Sequence, residues 1–144
     1  MLALALALLA PTLASPLPRR VMPAEEVVSD GLPEGVSRWV GTYTCAQGPT
    51  DLSLTITRTG EHVWATFAFG PLPENPTVPV GAFRMGGFVE GRTVRLEPNE
   101  WIVRPARYVP VGLSGQIDRR TGELHGKVLT PLPGCRTFTV APAE

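Results

Sequence analysis

The chain contains only two cysteines, Cys45 and Cys135, and these are its most reactive side chains. A disulfide between them would close a loop of about 90 residues and stabilise the fold by roughly 4 kcal/mol on chain-entropy grounds. The alternative is a reactive or metal-binding thiol pair. The only histidines, His62 and His125, do not stand at zinc-site spacing from either cysteine. The pattern therefore predicts a disulfide, with no metal site and no cofactor.

Three carboxylates, Glu74, Glu97 and Glu100, fall in Pro-containing segments that are predicted to form long connections. Two carboxyl groups on either side of a glycosidic bond can hydrolyse it by acid and base catalysis. Acidic residues on loops are more often simply hydrated, and no feature of the sequence sets the distances between these three. We therefore predict that the protein is not an enzyme.

The predicted strand register indicates which residues lie opposite the two histidines and could act with them in nucleophilic catalysis. Pairing across two hairpins places Thr57 opposite His62 and Gln116 opposite His125. Neither histidine is thereby aligned with a Ser or Cys nucleophile and a carboxylate, which such catalysis requires. Both are predicted to be solvated strand residues.

A concentration of Trp, Tyr and Arg between Glu97 and Tyr108 is the strongest sign of a binding surface, because these residue types dominate interface energetics. The partner would be an unknown protein or a small molecule. The alternative is that Trp101 and Ile102 form a lid that plugs one end of the fold. The candidate binding residues are Trp101, Arg104, Arg107, Tyr108, Asn75 and Gln47.

Composition and charge narrow the class of protein. With 144 residues and 43% hydrophobic residues, the chain is suited to one globular domain. Thirteen basic residues balance thirteen acidic ones, so the chain has no net positive charge that would attract it to nucleic acid. No phosphate-binding or dinucleotide-binding glycine motif occurs.

The N-terminal region predicts export. Residues 1–14 form an apolar run that is too short to span a bilayer, and small residues before Ser15 suit signal-peptide cleavage. Residues 15–36 are rich in Pro and acidic residues, which favours an extended tether. We predict a β-domain over residues 37–144 and no transmembrane segment after cleavage, in a protein that is periplasmic or extracellular.

The rest of the chain alternates apolar and polar residues with a period of two, which is typical of β-strands. Eight such segments follow one another, without a helical period between them. The sequence predicts an all-β fold, an eight-stranded antiparallel up-and-down barrel, with a β-sandwich as the alternative. The large residues predicted to face inward are Trp39, Tyr43, Leu52, Leu54, Ile56, Val63, Phe67, Phe69, Phe83, Met85, Val89, Val94, Leu96, Leu113, Ile117, Leu124, Val128, Phe138 and Val140.

The connections divide between the two ends of this barrel. Three short turns containing Gly60, Gly91 and Gly122 join alternate strand pairs, so all three lie at one end. The other four connections contain Pro and lie at the opposite end; two are long, Gly70 to Pro79 and Glu97 to Val109. Both cysteines also fall at this long-loop end, so barrel closure would bring them level with each other.

Four glycines are predicted to face the interior: Gly41, Gly87, Gly115 and Gly126. They could leave room for a ligand inside the barrel. Glycine within a strand more often marks a sharp bend or a close approach of another chain segment. The sequence leaves both alternatives open.

Resemblance to known proteins rests on a few short motifs. The segment from Trp39 to Gly48, with Glu74–Asn75–Pro76 and Trp101, resembles an uncharacterised family of bacterial extracytoplasmic β-domains. Its opening residues also resemble the first strand of lipocalin-like and avidin-like barrels, which implies a small hydrophobic ligand. The placement of the two cysteines is similar to that in periplasmic lysozyme inhibitors, which implies inhibition of a lysozyme or another hydrolase as a further alternative. We expect a non-catalytic binding or envelope accessory module.

Overall fold

The computed structural model describes residues 31–143, which form one closed antiparallel β-barrel. Each strand pairs with the next along the chain, and the last pairs with the first, so the predicted barrel is confirmed and the sandwich alternative is wrong. The predicted signal peptide and residues 15–30 of the predicted tether lie outside the described residues. The strands are β1 (Gly35–Cys45), β2 (Gly48–Thr59), β3 (His62–Gly70), β4 (Gly81–Glu90), β5 (Thr93–Val103), β6 (Gly112–Ile117), β7 (Leu124–Leu129) and β8 (Thr137–Ala143).

The interior is filled by side chains rather than hollow. Every large residue named above as facing inward is buried, because strict alternation places one face of each strand inside the barrel. The largest of the fully buried side chains are Trp39, Phe67, Phe83 and Phe138, and the Phe67 and Phe83 rings stack with centroids 4.6 Å apart. Such packing leaves the open end of the barrel as the place for a site.

The inward glycines allow the strands to approach each other closely. A Cβ on Gly41 would lie 1.9 Å from the Thr139 carbonyl oxygen, and one on Gly126 would lie 2.0 Å from the Ser114 carbonyl oxygen. Both obstacles are backbone atoms, so these positions permit strong bending and leave no space for a ligand. The bending alternative is therefore the correct one.

The three glycine turns lie at one end, as predicted, and a short N-terminal segment contacts the turns at Gly60 and Gly91. Leu32 is buried there, and its carbonyl accepts a hydrogen bond from Arg58 Nη1 at 2.5 Å. Glu34 Oε1 accepts one from the Gly60 amide at 2.9 Å. β1 begins at Gly35, two residues before the predicted domain boundary at Ser37. Residues 31–36 thus pack onto the barrel.

The opposite end differs from the prediction in one important connection. β5 continues to Val103, so residues 97–103 lie in a strand and not in a loop. β6 pairs with β5 only as far as Leu96, and beyond that point β5 pairs with β4 alone, across a bulge. Pro98 has no amide hydrogen to donate to a neighbouring strand. It is tolerated here because β6 does not pair with this part of β5. The loop itself comprises residues 104–111.

The disulfide extends the seam where the barrel closes. Cys45 and Cys135 are bonded, which confirms the predicted pairing. They lie just beyond the last β1–β8 pair, Tyr43 opposite Phe138, and the Arg136 amide donates to the Thr44 carbonyl at 2.9 Å. Among residues 31–143 there is no helix long and apolar enough to cross a bilayer.

Candidate functional site

The long-loop end of the barrel holds an open recess of about 270 Å³, which we call the mouth cup. Its volume is just below the range of roughly 300–1,000 Å³ found for small-molecule sites. The ends of the strands form its floor, and residues 107–109 and 130–133 form its rim. We define the mouth cup by Tyr43, Cys45, Gln47, Phe69, Phe83, Arg107, Tyr108, Val109, Leu132 and Cys135.

Aromatic rings make up the floor and one wall. The Tyr43 and Phe69 rings meet edge to face with centroids 6.3 Å apart. Tyr108 stacks on Phe69 with centroids 5.3 Å apart and an interplanar angle of 15°. Because Tyr43 and Phe69 are inward-facing residues near the mouth ends of β1 and β3, and Tyr108 lies in the loop above them, their rings cap the core and face the recess.

One wall carries a hydrogen-bonded group of three polar side chains. Gln47 Nε2 donates to the Tyr43 hydroxyl at 3.3 Å and to Thr50 Oγ1 at 3.1 Å. The Thr50 hydroxyl is buried and donates to the Gly48 carbonyl at 3.1 Å. The two-residue turn between β1 and β2 therefore holds Gln47 over the cup, and the Tyr43 proton stays available for an acceptor on a ligand.

Burial raises the pKa of Tyr43 well above its ordinary value, and the nearby Tyr108 raises it further, although the hydrogen bond from Gln47 opposes both. Burial also raises the pKa of Tyr108. Both phenols are therefore neutral hydrogen-bond donors at physiological pH. They present no negative charge to a ligand.

These shifts predict a specific alkaline behaviour, which is readable because the chain has only two tyrosines. In the unfolded chain both ionise near a pH of about 10. In the folded protein they keep their protons to higher pH, so the unfolded state is favoured as pH rises. We expect the free energy of unfolding to be unaffected by these groups below a pH of about 10 and to fall above it.

The measurement is denaturant unfolding at a series of alkaline pH values, with phenolate absorbance followed in parallel. Tyr43→Phe should remove most of the alkaline loss, since Tyr43 has the larger shift. An equal loss of stability in wild type and Tyr43→Phe would contradict the assignment to this side chain.

Arg107 stands out by its backbone. With φ at 67°, it is the only residue other than glycine with positive φ in the range 31–143. A left-handed conformation costs a side-chain-bearing residue roughly 1–3 kcal/mol and is most often found at functional positions. A turn in which the Tyr108 amide donates to the Pro105 carbonyl at 3.3 Å holds the loop. Arg107 is the one charged side chain that lines the cup.

The structure divides the six predicted binding residues into two sets. Gln47, Arg107 and Tyr108 line the mouth cup. Trp101 lies in β5 instead, half-buried, with its ring centroid 5.1 Å from that of Phe83, and Arg104 lies over its ring at 5.8 Å. The prediction of Trp101 as a loop residue is therefore wrong, because β5 is longer than its Pro98 indicated.

Asn75 has a supporting position. Its Nδ2 donates to the Gln47 carbonyl at 2.7 Å and to the Pro49 carbonyl at 2.8 Å. These bonds tie the loop between β3 and β4 to the turn that carries Gln47. Asn75 thus shapes the wall of the cup from behind and does not line it.

Several lining residues were missed as site residues. Tyr43 and Phe69 were predicted to be core, and Val109 and Leu132 received no role. Their position within the strands could have identified them. An inward-facing residue at the strand end nearest the long loops must lie at the mouth of the barrel. Alternation alone does not separate such a residue from the deeper core.

The residues weighed for catalysis do not converge. Glu97 and Glu100 point outward from β5 and form ion pairs with Arg95 at 3.6 Å and Arg84 at 3.4 Å. Glu74 is exposed in the loop between β3 and β4. No cluster of three or more His, Cys, Asp or Glu side chains suitable for a metal ion occurs within the described part of the chain.

The predicted register of the histidines is confirmed at one position and wrong at the other. Gln116 lies opposite His125, as expected. His62 lies opposite Thr59, and Thr57 lies opposite Trp64. The shift of two residues arises because the hairpin turn contains only Gly60 and Glu61, which makes both strands longer.

Comparison with protein-family models, with curated proteins and with solved structures returned no match. The resemblances drawn from the sequence stay predictions. Function is therefore inferred from the geometry and chemistry of the mouth cup.

Proposed function

We propose that the protein is an exported, non-catalytic binding module that holds a small ligand in the mouth cup. The ligand has an apolar body and one anionic or hydrogen-bond-accepting group. The observation that carries this proposal is a recess with an aromatic floor, two tyrosine O–H donors and one positive charge, above an interior that is already filled.

The aromatic floor supports an apolar ligand body. Phe69 and Tyr108 stack parallel, and Tyr43 meets Phe69 edge to face, so a planar apolar group entering the cup would find both ring faces and ring edges. A recess of about 270 Å³ has room for a small molecule rather than a long lipid.

The polar groups support an acceptor on the ligand. Tyr43 and Tyr108 offer O–H donors, and Arg107 adds a positive charge at the rim. Both side-chain N–H groups of Gln47 are already bonded to Tyr43 and Thr50. No acidic side chain lines the cup. A carboxylate on the ligand would pair with the Arg107 guanidinium through charge-assisted hydrogen bonds.

Export is proposed from two compatible features. The Cys45–Cys135 disulfide suits an oxidising compartment. The apolar segment at residues 1–14 has the composition of a signal peptide.

A second candidate function is binding of a partner protein, and the rim of the cup favours it. Val109 and Leu132 are exposed apolar residues on either side of the opening. A protein could insert one aromatic or acidic side chain into the cup and cover the rim with its own surface. Such a partner would give an anchor residue in a small pocket, which is typical of interface hot spots.

The proposal predicts selectivity between two small probes that differ only in their terminal group, which is a carboxylate in one and a neutral hydroxyl in the other. Hydrocinnamate and hydrocinnamyl alcohol share a phenyl ring and chain length. We expect hydrocinnamate to bind more tightly, and Arg107→Gln to weaken its binding about tenfold while leaving the alcohol unaffected, since about 1.4 kcal/mol is lost. NMR titration of isotope-labelled protein would give both affinities and the location of the shifts.

The matched control is Arg119→Gln, an exposed arginine in the turn at the far end of the barrel, which should leave both affinities unchanged. Equal binding of the two probes in wild type and Arg107→Gln would contradict the anion preference. If neither probe shifts the signals of the mouth cup, the small-ligand function is wrong and the protein-partner candidate stands.

A further inference from the structure

The outward face of β3, β4 and β5 carries a cluster of aromatic rings that lie outside the hydrophobic core. Trp64 and Phe88 are 53% and 61% exposed. His62 lies opposite Phe88 across β3 and β4, with ring centroids 5.6 Å apart, and 6.3 Å from the Trp64 ring. We call His62, Trp64 and Phe88 the outer aromatic patch. Contiguous exposed aromatic residues on a soluble fold usually mark a binding surface.

Two shallow grooves flank the Trp64 ring. On one side Trp64 lies opposite Gly86, which in turn lies opposite Glu97, so the missing side chain opens a groove of about 420 Å³. On the other side a groove of about 360 Å³ is lined by the hydroxyl groups of Thr55, Thr57 and Thr66. Trp64 and Asn99 line both grooves. The surface is therefore an extended trough with an aromatic ring at its centre.

The charged residues along this trough are paired with one another. Arg95 Nε lies 3.6 Å from Glu97 Oε1, and Arg84 Nη1 lies 3.4 Å from Glu100 Oε1. Each pair offers both donors and acceptors with no net charge. This balance favours an uncharged polar ligand over a nucleic acid or an acidic peptide.

We propose that the outer aromatic patch and its two grooves bind an uncharged oligosaccharide. A pyranose ring has an apolar face of C–H groups that stacks on an aromatic ring, and a rim of hydroxyl groups that both donate and accept hydrogen bonds. The trough presents these two chemistries in alternation: the Trp64 and Phe88 rings, then the threonine hydroxyls, the Asn99 amide and the ion pairs. Grooves on both sides of Trp64 provide for more than one sugar unit.

A second copy of this chain is a weaker fit to the same surface. The core of a homodimer interface is mostly apolar and depleted of charge. Here hydroxyl groups and two ion pairs line the grooves beside the rings. The trough shares no lining residue with the mouth cup, so this site is independent of the proposed function above.

The test uses cellohexaose and hexa-N-acetylchitohexaose as neutral probes and a hexamer of galacturonate as an acidic comparator. We expect at least one neutral probe to shift the NMR signals of Trp64 and Phe88. Trp64→Ala should weaken that binding at least tenfold, and Phe88→Ala should weaken it several-fold. Both side chains are exposed, so thermal unfolding should confirm that the variants remain folded. The matched control is Ile102→Ala, an exposed apolar residue of β5 outside both grooves, which should bind as wild type does.

Four results would overturn the assignment. The first is that neither neutral probe binds at millimolar concentration. The second is that Trp64→Ala binds as tightly as wild type. The third is that the acidic hexamer binds more tightly than both neutral ones. The fourth is a concentration-dependent dimer in analytical ultracentrifugation that Trp64→Ala abolishes, which would assign the patch to self-association.

Discussion

Reduction of the Cys45–Cys135 disulfide is expected to lower the free energy of unfolding by roughly 4 kcal/mol. The bond joins residues separated by 90 positions, and a loop of that length has a large closure entropy in the unfolded chain. A typical domain is stable by about 5–15 kcal/mol, so the reduced barrel would keep only part of its stability. Denaturant unfolding with and without reductant measures the difference.

The control for this experiment is the double variant Cys45→Ala, Cys135→Ala. It should be as unstable as the reduced wild type, and reductant should not change it further. Both cysteines also line the mouth cup, so the NMR signals of Gln47 and Tyr108 should change on reduction while those of the glycine turns persist. A wild-type unfolding midpoint that does not respond to complete reduction would contradict the prediction.

Gly41→Ala is expected to destabilise the barrel by about 3 kcal/mol or to prevent folding. The new Cβ would lie 1.9 Å from the Thr139 carbonyl oxygen and 2.8 Å from the Val140 Cα. Both are backbone atoms of β8, so no side-chain rotation relieves the clash. β1 and β8 must separate at the seam that closes the barrel, which breaks their ladder of hydrogen bonds.

Gly70→Ala is the matched control. Its Cβ would meet only the Val80 Cγ2 atom at 3.6 Å, an ordinary van der Waals contact, so stability should change little. Thermal and denaturant unfolding of both variants give the comparison. If Gly41→Ala proves as stable as Gly70→Ala, the close approach of β1 and β8 described here is wrong.

The strands were predictable because the barrel interior imposes a simple rule on the sequence. A residue one position out of phase would place its apolar side chain in water, so the period of two marks the inward face over all eight segments. The glycine turns were predictable for a similar reason, since Gly60, Gly91 and Gly122 adopt positive φ. These are local constraints, and a single sequence carries them.

The candidate site was predictable only in part. Arg107 and Tyr108 were selected by residue type and by their place near the long loops, and both line the mouth cup. Trp101 was selected by the same reasoning, yet it lies in a strand against Phe83. Its position depends on how far β4 and β5 stay paired beyond the end of β6, and that depends on contacts distant in the chain.

The sequence alone determined the strand order and predicted the pairing of the two cysteines, because both follow from alternation, turn chemistry and the end at which a strand stops. It left a closed barrel and a sandwich as alternatives, and the pairing of β1 with β8 decided between them. Tertiary structure decided the rest. It set how closely β1 and β8 approach at Gly41, so that the interior is filled and the recess is confined to the mouth. It also brought Trp64, Gly86 and Glu97 into one row from three separate strands. Such proximities depend on register and bending across neighbouring strands, which no local pattern encodes.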